Sequence, residues 1–188
     1  MTEAPAFHPW LQPKGFLEPF LGEDATVPEI LAPRSPYPMG LEDLVDLFGW
    51  SPRRRDMIRS FLAYRRQIKA LGLTRGFQWL DGSFLEHCEI SRNAEPNDLD
   101  VVTWIPVSNQ AEFLKIQQTM PDHEQVKASM RLDTYFAPCT QEGWLEPQSA
   151  CYWFGLLGHT RQGRWKGIVL LDLAEPENES ILDRVAIP

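Results

Sequence analysis

The stretch that decides the fold runs from Gln78 to Trp104 and reads QWLDGSFLEHCEISRNAEPNDLDVVTW. A Gly-Ser turn, Gly82-Ser83, follows one apolar segment, and two aspartates one residue apart, Asp98 and Asp100, lead into another. Side chains alternate faces along a strand, so Asp98 and Asp100 project to one side while Leu99 and Val101 project to the other. Two carboxylates converging on one spot repel each other and are costly to bury unless a divalent cation lies between them and a phosphate. The pattern therefore predicts a metal-dependent phosphate site, with Mg²⁺ as the cation.

The rest of the chain sets bounds on that reading. Its 188 residues, 43% hydrophobic with seven Trp and ten Phe, suffice for one domain with a substantial core. A net charge of −8 argues against a protein that coats nucleic acid through a general basic surface. Three cysteines, Cys88, Cys139 and Cys151, show no paired spacing, which points to reduced thiols and a cytoplasmic protein. The first residues, MTEAPAFHPW, lack the basic end and apolar run of a signal peptide, and no segment approaches transmembrane length. No membrane partner is expected.

Eight of the sixteen prolines fall within the first 38 residues, so residues 1–39 read as an extended arm whose aromatics lie against the domain or a protein partner. Residues 40–188 read as the domain. Leu41, Leu44, Val45 and Phe48 share one face of a helix that starts near Gly40 and stops at Gly49. Ser51 caps a second helix with Pro52 in its first position and an apolar stripe, from Met57 to Leu71, that ends at Gly72. Strands are expected at 75–80, 98–105 and 130–137, with a short helical segment at 84–87 and a loop over 88–97. Asn109 and Glu112 form a capping-box pattern for a helix reaching about Met120. Two more strands, 152–157 and 167–173, are expected to form a hairpin around GHTRQGRWK. The sum is an α+β domain: a mixed sheet of about five strands with helices packed on one face.

Two-metal phosphoryl or nucleotidyl transfer requires carboxylates that hold two cations about 3.5–4 Å apart. Asp98 and Asp100 have the spacing, and Asp133 in RLDTYFA is the best third carboxylate, since Arg131, Asp133 and Tyr135 alternate onto the same side. Asp172 and Glu95 stand as alternatives to Asp133. Gly82 permits close approach of backbone to phosphate, and Ser83 adds a hydroxyl beside the N–H groups of the following helical turn. Arg161, Arg164 and Lys166 lie on a late loop from which cations can reach a triphosphate, so Lys166 and Arg161 are taken as nucleotide-binding residues. Arg53, Arg54, Arg55, Arg65 and Arg66 form the basic cluster, read either as a contact for RNA or an acidic partner or as a solvated helix face. His87, His159 and Cys88 have no metal-ligand spacing and read as structural. The tryptophans read as core, one of them a candidate wall for a base pocket.

The ordered set Gly82, Ser83, Asp98, Asp100, Asp133 resembles the polymerase-β-like nucleotidyltransferase superfamily. More closely, SPRRR, WLDGSF, NDLDVV and GHTRQGRWKG resemble a small, uncharacterised bacterial nucleotidyltransferase-like family, over about residues 38–173. That resemblance implies a nucleotidyltransferase-like fold, Mg²⁺, a nucleoside triphosphate, and transfer of a nucleotidyl group to an RNA, protein or small-molecule acceptor. By analogy alone it also implies a toxin-antitoxin or phage-defence setting. Fifteen positions separate Gly82 from Asp98, and Asp81 adds an acidic group just before the turn. The alternative is a catalytically silent relative that binds a partner protein through the N-terminal arm.

Overall fold

The computed structural model describes residues 15–17, 19 and 35–186. Most of the proline-rich arm, and the partner docking expected of it, lies outside the described residues. Where the arm is described, Phe16 and Leu17 are buried, and the Gly167 amide donates to the Leu17 carbonyl.

Five strands form one mixed α+β sheet: β1 (Tyr37–Pro38), β2 (Phe77–Asp81), β3 (Leu99–Pro106), β4 (Leu132–Cys139) and β5 (Val169–Asp172), in the spatial order β1-β5-β2-β3-β4. Strand β2 is antiparallel to both β5 and β3, whereas β3–β4 and β1–β5 are parallel. Seven helices accompany it among the described residues: α1 (Leu41–Phe48), α2 (Pro52–Ala70), α3 (Cys88–Ser91), α4 (Gln110–Gln117), α5 (His123–Met130), α6 (Pro147–Leu157) and α7 (Glu179–Ala186).

The expected helix α2 forms as its caps dictate, with Ser51 Oγ accepting the Arg54 amide and Pro52 in the first turn. Its stripe of Met57, Ile58, Phe61, Leu62 and Ile68 packs on Leu80, Leu99, Val101, Leu132, Val169 and Leu171 of the sheet. Helices α1 and α7 complete this layer through Leu44, Phe48, Ile181 and Val185. The opposite face is a second, aromatic layer of Trp79, Val102, Trp104, Ala137 and Ile168 beneath Leu157, Trp153 and Phe154 of α6. Helices therefore cover both faces, not one.

Three further expectations need correction. Residues 152–157 are helical, not a strand: Pro147 in the first turn starts α6, and this start outweighs the strand preference of its aromatic residues. The following loop is consequently no hairpin between strands, although one antiparallel bridge, His159 to Trp165, closes it. Residues 88–91, expected in a loop, form the short helix α3.

At two of its positions the basic cluster is neither an open contact for RNA or an acidic partner nor a solvated helix face. Arg54 and Arg65 are both fully buried. Arg54 donates to the Phe84 and Glu86 carbonyls and pairs with Glu89 at 2.6 Å, while its guanidinium stacks 3.6 Å from the centre of Trp50. Arg65 joins α2 to the sheet through Gln78 (2.7 Å) and to the segment before α7 through Glu177 (2.6 Å). Such charges are tolerated inside because each guanidinium nitrogen finds an acceptor.

Candidate metal centre

Strand register brings the acidic residues together. Asp81 on β2 stands opposite Asp100 on β3, and Asp100 stands opposite Asp133 on β4. Directly opposed residues share a face, so three carboxylates form a row across three strands on the aromatic side of the sheet, where like charges repel. Asp98 sits just before β3, and oxygens of Asp98, Asp100 and Asp133 all lie within 4.8 Å of one another. The predicted triad is thus assembled. Asp172 and Glu95 are not part of it: both are exposed, and Asp172, at the far end of β5, accepts the Ala174 amide.

The two ends of the row are neutralised and the middle is not. Lys166, 3% exposed, lies 3.1 Å from Asp81 Oδ1 and 3.2 Å from Glu86 Oε1, and donates to the Gly82 carbonyl at 3.0 Å. Its approach to Asp81 is an ion pair without the angle of a hydrogen bond. Burial pushes the Asp81 carboxyl upward, with Lys166 acting against it. Lys127 Nζ donates to Asp133 Oδ2 at 2.5 Å, a contact that raises the Lys127 pKa. His123 Nε2 lies 3.4 Å from Asp133 Oδ1, and its Nδ1 donates to the Thr134 carbonyl at 3.0 Å. Asp100 has no ion-pair partner among the described residues, and burial, reinforced by Asp98 and Asp133, pushes its pKa up to about 6.

The turn beside the row is built around a close approach. Gly82 has φ +84°, and a Cβ there would sit 3.1 Å from the Asp100 carboxyl carbon and 3.2 Å from the Asp100 amide nitrogen. Glycine is required both by the left-handed backbone and by that contact. Residues Ser83–Leu85 form a single 3₁₀ turn. Ser83 Oγ accepts the Asn97 amide at 3.2 Å, which ties the turn to the segment just before Asp98. The long connection from turn to carboxylates is therefore folded back on the site.

The donor set fits a hard divalent cation. All three candidate ligands offer carboxylate oxygen, with no thiol or imidazole among them. The Asp133 Oδ1 atom is buried without a hydrogen-bond partner, an acceptor that a cation would satisfy. Of the other sequence-predicted residues, Gly82 and Ser83 adjoin the triad, Arg161 is exposed on its loop, and Lys166 is held inside by Asp81 and Glu86.

Sequence reading missed His123 and Lys127, since α5 was not expected. The signal was present: Pro121 precedes Asp122, whose side chain caps α5 by accepting the Gln125 amide, and His123 and Lys127 are four residues apart on one helix face. The structural role of Asp81 required strand register, which local pattern does not supply.

A protein-family profile described as "Family of unknown function (DUF6932)" matches residues 10–172, and the chain belongs to that family. No curated protein and no solved structure matches it significantly.

Proposed function

We propose that this member of the DUF6932 family is a Mg²⁺-dependent nucleotidyltransferase, acting in the cytoplasm on a nucleoside triphosphate and an RNA, protein or small-molecule acceptor. The observation behind this reading is the convergence of Asp98, Asp100 and Asp133 within 4.8 Å, against a glycine turn that touches Asp100. The nucleotidyltransferase-like character of the sheet and a toxin-antitoxin or phage-defence setting are part of the same proposal. Two Mg²⁺ ions bound by the three aspartates would supply charge neutralisation for the triphosphate and a more acidic acceptor hydroxyl.

The chain's own groups divide the remaining work. The Gly82 backbone, free of a Cβ, gives a phosphate close access to the turn. Ser83 Oγ accepts from Asn97 and keeps its own proton, which it can donate to a phosphate oxygen. Lys166 acts as a positioning residue by gripping the Gly82 carbonyl, and Arg161 supplies a solvent-side cation. Asp133 accepts the acceptor's proton as its oxygen bonds to the α-phosphorus and pyrophosphate departs.

The test is incubation with each α-labelled triphosphate and Mg²⁺, with cell RNA or total protein added. Label should pass to one fraction with the wild-type chain and not with Asp98→Asn. Stable co-purification of a protein, with no transfer by a folded wild-type chain, would instead establish a silent binding module.

A further inference from the structure

The geometry points to the rings of Tyr135, Trp153 and Tyr152 as the shelf on which the nucleobase of the triphosphate stacks. This inference rests on the triad reading above and adds the part of the substrate that the carboxylates do not hold. Tyr135 follows Asp133 by two positions on the same face of β4, about 6–7 Å along the strand. Its phenol is set against the Asp133 carboxylate. From there the rings run outward in sequence. The Tyr135 and Trp153 centroids are 5.1 Å apart, and those of Trp153 and Tyr152 are 5.2 Å apart at 78°. His123, beside Asp133, adds a further ring 5.3 Å from Tyr135.

The shelf thus begins at the third carboxylate and ends in solvent, where Tyr152 is 62% exposed. Trp79 and Trp104 beneath are buried, and Tyr135 and Trp153 pack against them half-buried, so Tyr152 is the ring that stands clear of the core. Tyr152 offers an open ring face beside the charged site. A nucleobase offers such a ring a partner, and stacking of this kind tolerates any base. The rings lead outward from the Asp133 end of the triad, so a triphosphate held at Asp98, Asp100 and Asp133 would carry its base toward Trp153 and Tyr152.

The experiment compares two probes on the full chain with Mn²⁺: inorganic tripolyphosphate, and the α,β-methylene analogues of the four ribonucleoside triphosphates. The tightest analogue should bind better than tripolyphosphate. Tyr152→Ala should weaken that analogue about tenfold, corresponding to about 1.4 kcal/mol from the range known for base stacking. It should leave tripolyphosphate binding unchanged, and Tyr152→Trp should restore the analogue. Equal analogue affinity in wild type and Tyr152→Ala, with tripolyphosphate bound, overturns the shelf and leaves the triad standing. Failure of both probes to bind overturns the triad reading and the shelf with it.

Discussion

Replacing Asp100 by Asn should stabilise the metal-free protein at neutral and higher pH. Its carboxyl is the unneutralised middle of a row of three, with a pKa near 6 instead of 3.8. That difference corresponds to about 3 kcal/mol at ~1.4 kcal/mol per pKa unit. Partial access to solvent reduces it, giving an expected gain of about 1–3 kcal/mol. A carboxyl whose folded-state value lies above its unfolded one favours the fold fully below the unfolded value. That contribution is lost as pH rises through the folded value, so the wild type weakens between about 3.8 and about 6. Asn does not titrate and escapes the loss. Thermal denaturation in EDTA at pH 8 should show Asp100→Asn melting about 2–12 °C higher, at about 2–4 °C per kcal/mol for a chain of this size. At pH 4 the two should coincide. Excess Mg²⁺ should raise the wild type and not the variant, because a ligand stabilises only the state that binds it. An Asp100→Asn protein that melts lower than wild type at pH 8 in EDTA would refute the repulsion argument.

Three further substitutions test the surroundings. Lys166→Met strands Asp81 and Glu86 in the interior and should cost about 3–5 kcal/mol, read by urea unfolding at pH 8; a neutral effect would contradict the buried pairing. Gly82→Ala combines a positive φ with a 3.1 Å clash on Asp100 and should cost about 1–3 kcal/mol; an unchanged melting temperature would show that the turn does not depend on glycine. Arg54→Met removes the partner of Glu89 and of two carbonyls, a loss of about 3–5 kcal/mol at pH 7. Burial alone would raise the Glu89 pKa, but Arg54 holds it below 4.5, so that part of the stability exists above 4.5 and fades as pH falls through the folded value. The penalty for Arg54→Met should shrink on acidification, and a pH-independent penalty would remove Glu89 from the explanation.

Part of what is encoded locally was read correctly, whereas the Asp122 cap that starts α5 was overlooked. Ser51-Pro52, the stripe on α2 and the alternation in Leu99–Ile105 are each decided by neighbours in sequence, and the structure follows them. Alternation put Asp98 and Asp100 on one side, while Asp133 joins them through the pairing of β4 on β3, which local pattern does not supply. Three features were hidden by competing physics. The aromatic run of α6 favours a strand until Pro147 and packing against Trp79 and Trp104 decide otherwise. Arg54 and Arg65 look like surface charge, and only long-range acceptors, Glu89 and Glu177, make their burial possible. Asp81 and Lys166 are 85 positions apart (166 − 81), and their pairing follows from the turn, the loop after α6 and the register of β2 on β3.

The central claim is that Asp98, Asp100 and Asp133 hold a divalent cation, and Mn²⁺ binding followed by electron paramagnetic resonance tests it most directly. The wild-type chain should take up Mn²⁺ saturably, with Mg²⁺ competing, and Asp98→Asn and Asp100→Asn should lose that binding while remaining folded. Equal Mn²⁺ binding by wild type and both variants, or none by a folded wild-type chain, would contradict the account.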